Sequence, residues 1–368
     1  MKILVLSASP KCAATKSIVK AGEKRGHIMV VKNPKFMYLL ISDVVNGFDR
    51  VYDGYGNDLK PLRMPAKEYD AVIPRLGSNL NFSCAVLEHL NNNLKIFATQ
   101  GSLGIKTASD KLISGQKISQ AKIRVPRTVL GDHAAHVAWM VEMIGGLPAI
   151  AKGLTGSQGK SVYPLKDEQQ TNVFLENFFA RKEKLLLQKF IDGGCRDIRC
   201  IVIDGEVVTA MERTAAKGEL RANISRGGSG KKIELSDEDK DIAIRASRAC
   251  GLEVSGVDLM KDSSGKTFVI ETNSNYGYHI EKITGDDISK PLIEYCEKNH
   301  KFGNQANNKS MSAMLGFTPI QGLMIPSKIQ GNSHDGFTDE EKKLTSNLVD
   351  WDAINNLPHN KDADKNGK

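Results

Sequence analysis

Asp258 and Glu271 stand thirteen positions apart, with Asn273 two places further on, in the stretch VSGVDLMKDSSGKTFVIETNSN. The stretch reads as a strand (255–260), a turn centred on Ser264-Gly265 and a second strand (267–273). A two-residue turn there sets Asp258 directly opposite Glu271. Side chains alternate along a strand, so Glu271 and Asn273 share a face, and Phe268 and Ile270 are expected to point the other way into apolar packing. Facing carboxylates repel unless a cation lies between them. Two carboxylates and an amide oxygen are hard ligands of the kind Mg²⁺ takes, usually together with phosphate oxygens. The alternative is a solvated hairpin edge with incidental charges.

Other stretches carry matching chemistry. KGLTGSQGKSV follows an apolar strand, Ala149–Lys152. Leu154 occupies the place where a P-loop needs glycine, so that motif fails. Gly156 and Gly159 with the neighbouring hydroxyls still make a flexible flap able to bind an anion. Lys152, at the end of the strand feeding the flap, is poised over a phosphate or is an exposed loop lysine. Arg221, Asn223 and Arg226 fall within KGELRANISRGGSG. Guanidiniums and an amide beside glycines suit planar oxyanions, and suit equally a solvated basic loop. Asp197 and Arg199 share one strand face, as an ion pair or as part of a site. His279, alone near the hairpin, reads as structural.

Elements must position these groups. Ile3–Leu6 is a strand, Ala13–Arg25 a helix ended by Gly26, and His27–Val31 and Ala71–Pro74 are further strands, with a polar loop around Tyr52–Asp58. Strand–helix–strand order implies a parallel sheet. Ser7-Ala8-Ser9-Pro10 follows the first strand where a dinucleotide fold wants its glycines, which disfavours NAD(P). A short strand, Ile96–Ala98, leads to a helix from about Thr107, opened by Ser109-Asp110-Lys111-Leu112. Val125-Pro126 starts an extended stretch, and 133–145 is helical. Leu185–Phe190 is a strand. Asp197–Val202 and Val207–Arg213 form a meander around Asp204-Gly205. Ser236 caps a helix from Asp237 to Cys250, and a last helix lies near Asp287–Lys298.

The chain has 368 residues, 40% hydrophobic and 26% charged, a size for two or three subdomains. Its net charge is +8; from Lys301 on, eight Lys balance eight Asp and Glu, so the excess belongs to residues 1–300. That excess suits a nucleotide, an acidic substrate or an acidic partner. Basic clusters interleaved with aromatics are absent, so direct nucleic-acid recognition is not expected. No run of eighteen apolar residues suggests a membrane span, and the apolar start is too short for a signal peptide. Six scattered cysteines without a C-x-x-C pair read as reduced thiols of a cytoplasmic protein.

Taken in order, lysines and a glycine flap, a basic strand-loop and a D…E-x-N hairpin resemble the ATP-grasp superfamily. Within it the chain is similar to the RimK family, ligases that add glutamate to the C-terminus of ribosomal protein S6. The matching stretches are DAVIPRLG, the Asp110-Lys111 helix start, GGLPAIAKGLTGSQG, LLLQKFIDGGCRDIRCIVIDGEVVTAMERTAAKGELRANISRGG, and VSGVDLM with FVIETNSN. The resemblance implies an α/β and α+β architecture. It comprises a Rossmann-like pre-ATP-grasp parallel-sheet domain (1–103), a small ATP-grasp subdomain (104–190), a large one (191–300), and a polar extension (301–368), partly helical or disordered. It implies Lys111 and Lys152 on ATP phosphates and Gln188, Lys189, Phe190 and Ile191 as the adenine hinge. Asp197 then lies on the ribose side, and Arg221, Ala222 and Asn223 near the triphosphate. Asp258, Glu271 and Asn273 would hold two Mg²⁺, with Mn²⁺ as a substitute. Arg199, Arg213 and Arg226 would bind reacting carboxylates or an acylphosphate.

The implied reaction joins an amino acid, glutamate foremost, to an acidic protein or peptide C-terminus, and a homo-oligomer is compatible with it. A small-molecule or carrier-protein acceptor is the alternative, and a nucleotide-binding module without turnover the second alternative. Two departures stand out. The hinge has Gln188-Lys189 before Phe190 where the family favours an acidic residue. Ser274-Asn275-Tyr276-Gly277 replaces the family's Ala-Ser-Pro-Gly after Asn273.

Overall fold

The computed structural model describes residues 1–41, 50–54, 61–64, 68–131, 133–154, 162–180, 184–216 and 227–307. The chain begins with β1 (Lys2–Ser7), α1 (Ala13–Lys24) and β2 (Ile28–Lys32). It continues through β3 (Met37–Leu40), β4 (Arg50–Asp53), β5 (Leu62–Arg63), β6 (Ala71–Arg75), α2 (Leu80–Glu88) and β7 (Phe97–Ala98). Strands in the order β2-β1-β6-β7 form a parallel sheet. The unbroken apolar run of Ile3–Leu6 is fully buried, as a strand covered on both faces must be. Gly26 takes a left-handed φ of 79° and stops α1. The chain leaves β1 in one direction to β2 and returns on its other side to β6, so a crevice opens at the carboxyl ends of β1 and β6.

One expectation changes here. The polar stretch read as a loop around Tyr52 contains β4, which joins β3 and β5 in a small antiparallel sheet. Only Val51 of β4 and Met37 of β3 are deeply buried. One buried residue per strand is too little alternation to register in sequence.

A second change falls at Asp110. The expected single helix is two, α3 (Ser102–Ser109) and α4 (Lys111–Gln120). Asp110 is extended (φ −102°, ψ 115°) and its Oδ1 accepts from the Leu112 and Ile113 amides, so it caps α4 instead of continuing α3. Then come β8 (Thr128–Gly131), α5 (Val137–Met143), β9 (Ala149–Gly153), β10 (Val162–Leu165), α6 (Glu168–Ala180) and β11 (Leu185–Lys189). An antiparallel sheet of order β10-β9-β11-β8 packs Ala149, Ala151, Leu185 and Leu187 against Val137, Met140, Leu175 and Phe178 of α5 and α6.

The third large sheet has β12 (Arg196–Ile203), β13 (Glu206–Thr214), β14 (Ser229–Lys232), β15 (Val254–Lys261) and β16 (Thr267–Asn273), ordered β14-β13-β12-β15-β16. Asp204 and Gly205 turn β12 into β13 with φ of 52° and 77°, the conformation a two-residue hairpin wants. Helix α7 (Asp237–Ala249) backs one face, burying Ala243 and Ala246 against Cys200, Val257 and Leu259. Ser236 caps it by accepting from the Asp239 amide. On the opposite face, Ile201, Ile203 and Met211 share a core with Ile3 and Phe97 of the parallel sheet. Ile293 of α9 (Ser289–Asn299) and Ile280 of α8 (His279–Thr284) join them. Further along these strands the same face carries Asp197, Arg199, Arg213 and Asp258.

Candidate active site

The hairpin of β15 and β16 places Asp258 opposite Glu271, by a route other than the expected turn. The turn holds three residues, Ser263–Gly265: the Asp262 amide donates to Lys266 O and the Gly265 amide to Asp262 O. Its register pairs Leu259 with Val269, and a β-bulge at Ile270 then brings Asp258 into line with Glu271. The bulge also shifts the alternation. Thr267, Val269 and Thr272 are the buried positions, whereas Phe268 and Ile270 are half-buried and do not form the apolar side. Glu271 and Asn273 keep a common face, and Asn273 Nδ2 donates to Glu271 Oε1 at 3.1 Å.

Across the sheet the row extends to Arg199, directly beside Asp258. The guanidinium holds both Asp258 oxygens (Nε–Oδ1 2.6 Å, Nη2–Oδ2 2.5 Å) and lies 3.8 Å from Glu271 Oε1. The Arg199 guanidinium thus offsets the charge of both facing carboxylates from the Asp258 side. Arg213, only 3% exposed, reaches Asp258 Oδ2 at 3.1 Å and grips Asp197 through Nε (2.5 Å) and Nη2 (2.9 Å). Asp197 and Arg199 share a strand face as expected, but each is paired with a residue on another strand.

Burial pushes the Asp197 carboxyl up to about 6; the Arg213 charge opposes the rise and the Asp258 charge adds to it. Burial acts on Asp258 in the same sense, yet the charges and hydrogen bonds of Arg199 and Arg213 outweigh it and hold that carboxyl well below the usual range. The same two carboxylates hold the Arg213 guanidinium charged against the opposing effect of burial.

The small sheet supplies cations. Lys152 lies on β9, facing away from the core that buries Ala149 and Ala151, and is itself buried. Desolvation lowers its ammonium to about 8; Glu271 and Asp258 work against that fall, and Lys111 adds to it. Those three are its electrostatic neighbours, so the second and third sheets meet at this lysine. The Lys111 amide donates to Leu154 O at 3.2 Å, tying the start of α4 to the end of β9. In the hinge, the Lys189 amide donates to Arg127 O and the Phe190 amide to Pro148 O, and Ile191 O accepts from the Gly193 amide. Gln188 Nε2 donates to Thr128 Oγ1 and Lys189 Nζ to Gly145 O. Arg221, Ala222, Asn223 and Arg226 lie outside the described residues, as do 155–161 of the flap and 308–368 of the extension.

Among the described residues no three His, Cys, Asp or Glu side chains are arranged to hold a metal. The candidate set is two carboxylates and an amide, and its hard oxygens on one sheet face suit a divalent cation of the Mg²⁺ type. Two residues not singled out from sequence also reach this region. Gln100, just after β7, donates to Val254 O and Ser274 O, and Arg75, at the end of β6, donates to Tyr276 O. Both clamp the loop leaving Asn273.

A parallel sheet followed by two antiparallel sheets that meet at a lysine facing a carboxylate row defines the ATP-grasp class of ligase fold. Residues 1–105 match the RimK PreATP-grasp domain and 108–296 the RimK-like ATP-grasp domain. A probable alpha-L-glutamate ligase of Pseudomonas aeruginosa (strain UCBPP-PA14) is 37% identical over 302 residues, covering 81% of this chain and 96% of its own. A counterpart in Azotobacter vinelandii is 35% identical over 306 residues, 82% and 97% of the two chains. The solved ATP-grasp ligase PsnB, complexed with a phosphomimetic variant of minimal precursor, Mg and ADP, aligns with a TM-score of 0.63 at 19% identity. That alignment covers 81% of this chain and 98% of PsnB, and shows the fold. The chain belongs to the RimK-like ATP-grasp family and is an ATP-dependent ligase. No helix among the described residues is long and apolar enough to cross a membrane.

Proposed function

We propose that the protein joins an amino acid, glutamate foremost, to a carboxylate of a protein or peptide C-terminus at the expense of ATP. The observation that carries this reading is the row Arg199–Asp258–Glu271, braced by Arg213 and facing Lys152. The names of the relatives support glutamate. The positive excess of residues 1–300 supports an acidic acceptor, of which ribosomal protein S6 is the instance the family resemblance supplies.

In this reading an acceptor carboxylate oxygen attacks the γ-phosphorus and the bond to the ADP oxygen breaks, leaving an acylphosphate. The amine nitrogen of the amino acid then attacks the acyl carbon, phosphate departs, and the amine proton leaves to solvent. Lys152 and Lys111 hold the phosphates. With an ammonium lowered to about 8, Lys152 is largely charged at neutral pH, and an arriving polyphosphate favours that form further. The 188–191 segment lies along the base and Asp197 toward the ribose. Arg199 and Arg213 fix the Asp258 carboxylate, and Arg226 with Arg221, Ala222 and Asn223 completes the oxyanion contacts. Asp258, Glu271 and Asn273 would hold Mg²⁺, two ions by the resemblance with Mn²⁺ as a substitute, which when bound neutralises charge on the phosphates. Residues 1–103, 104–190 and 191–300 are the corresponding subdomains.

The test is incubation with ATP, Mg²⁺, L-glutamate and peptides ending in acidic residues, followed by intact-mass measurement of the peptide. Addition of glutamyl residues with one ADP released per residue is expected. Products formed only from small-molecule acceptors would overturn the acceptor assignment, and absence of any ATP-dependent product the whole reading.

A further inference from the structure

DAVIPRLG contains an arginine to which the mechanism above gives no task. Arg75 ends β6, at the crevice between the carboxyl ends of β1 and β6, the place where open parallel sheets take ligands. Its guanidinium lies over the Tyr276 ring (5.1 Å to the centroid) while Nη2 donates to Tyr276 O at 3.1 Å. Stacking and that bond fix the plane of the group. Arg199 and Arg213 are taken up by Asp258 and Asp197, but no carboxylate among the described residues forms an ion pair with Arg75.

The surroundings are polar and incompletely paired. Arg75 Nε and Asn275 Oδ1 are both buried without a hydrogen-bond partner among the described residues. The Gly77 backbone, two residues past Arg75, lies against Asn275: a Cβ there would meet its Nδ2 at 3.6 Å. A donor and an acceptor thus stand uncompensated at one junction. Across the crevice, burial works to raise the Cys12 thiol, yet the hydrogen bond with Thr15 and the charge of Arg75 bring it below its usual value. The Arg75 charge therefore bears on the start of α1. Asn275 follows Asn273 by two residues, so the junction adjoins the end of the ligase row.

We propose that Arg75 receives a substrate carboxylate, with Asn275 accepting from the N–H beside it, so that the parallel sheet supplies the substrate-selecting half of the site. A carboxylate flanked by N–H belongs to a free amino acid and to the last residue of a peptide alike. The proposal rests on the ligase reading for the identity of its ligand, and the test separates the two sources.

Full-length protein with ADP and Mg²⁺ is titrated calorimetrically with L-glutamate and, separately, with a short peptide ending in glutamate. Arg75→Met and Arg75→Gln are expected to weaken one of the two by at least about tenfold, the scale of a charge-assisted bidentate contact, with the other probe and ADP within about twofold. Loss confined to glutamate assigns the incoming amino acid, and loss confined to the peptide assigns the acceptor. Equal binding of both probes by variant and wild type overturns the proposal, as does failure of the wild type to bind either. Equal weakening of both, with a lowered melting temperature, also overturns it, since that is the mark of a loop brace. If neither variant folds, Arg75→Lys, which keeps the charge and loses the fork, decides by the same measure. A wild type that binds but forms no amide bond would refute the ligase reading and leave this one standing.

Discussion

Replacing Arg213 by methionine removes the side chain that, among the described residues, holds both the buried Asp258 and the half-buried Asp197. Asp258 keeps its two bonds to Arg199, at 2.6 and 2.5 Å, whereas Asp197 loses a two-bond partner. Breaking a buried pair from one side costs about 3 to 5 kcal/mol, because the remaining charge has no water to return to. The cost has a pH signature. With Arg213 present the Asp197 carboxyl sits at about 6; without that guanidinium it rises further. As pH rises above 6 the native wild type sheds this proton, and the native variant holds it to higher pH. A native state holding the extra proton loses stability relative to wild type as pH rises, by at most about 1.4 kcal/mol per pH unit. Urea unfolding of both proteins at pH 6, 7 and 8 reads this directly. Adding Asp197→Asn removes the stranded charge, so the double variant should recover about 1 to 2 kcal/mol and lose the pH slope. A penalty below about 1 kcal/mol at pH 7, or one that stays constant from pH 6 to 8, would refute the reasoning.

Lys152→Met should make the ligand-free protein more stable at pH 7, by about 1 to 3 kcal/mol, while abolishing ligation. The folded-state value near 8 against 10.5 means that the charged lysine is a cost below pH 8, fading by 10.5; a destabilised variant in urea would count against this. Glu271→Gln should cut turnover about 100-fold or more and leave the melting temperature within about 2 °C, since its side chain is 35% exposed; an unchanged rate would remove the metal assignment. At the contact between α1 and α9, Arg25 and His27 bond to Glu297 and hold its carboxyl down at about 2. That contribution is present above pH 4.5 and lost as pH falls toward 2. Glu297→Gln should therefore cost about 1 kcal/mol at pH 7, discounted for its 30% exposure, and nothing at pH 2, as followed by thermal melts.

Sequence made the strands of the carboxylate row legible because each carries its own local signal. The turn Asp204-Gly205 marks where β12 folds back into β13, and the alternation in DIRC places Asp197 and Arg199 together, but a register shift between Ile201 and Val202, which the turn does not announce, is what sets Asp197 opposite Arg213. What escaped is what depends on distant partners or on missing signals. Arg199 finds Asp258 fifty-nine residues away, through a strand pairing that no spacing in the sequence specifies. Helix α2 (Leu80–Glu88) starts after Asn79, a residue type that favours helix starts, yet Asn79 is left-handed and its side chain makes no capping bond. In α6 the consecutive Val173-Phe174-Leu175 blurs the helical period that Leu175, Phe178 and Phe179 satisfy in the core. The role of Gln100, reaching two carbonyls far along the chain, has no local counterpart at all.

The bulge at Ile270 gives the hairpin a spare residue. Twelve residues lie between Asp258 and Glu271, an even number that a plain ladder closes only with an even turn, whereas the turn that forms holds three. Ile270 absorbs the difference. Without it, eleven residues and the same turn would still set Asp258 against Glu271, with Val269 and Thr272 facing the core in strict alternation. The interval between the acidic residues is thus not a fixed ruler for recognising such a site. A single-residue insertion or deletion in this stretch leaves the pair undisturbed when a bulge takes it up while the turn keeps its length.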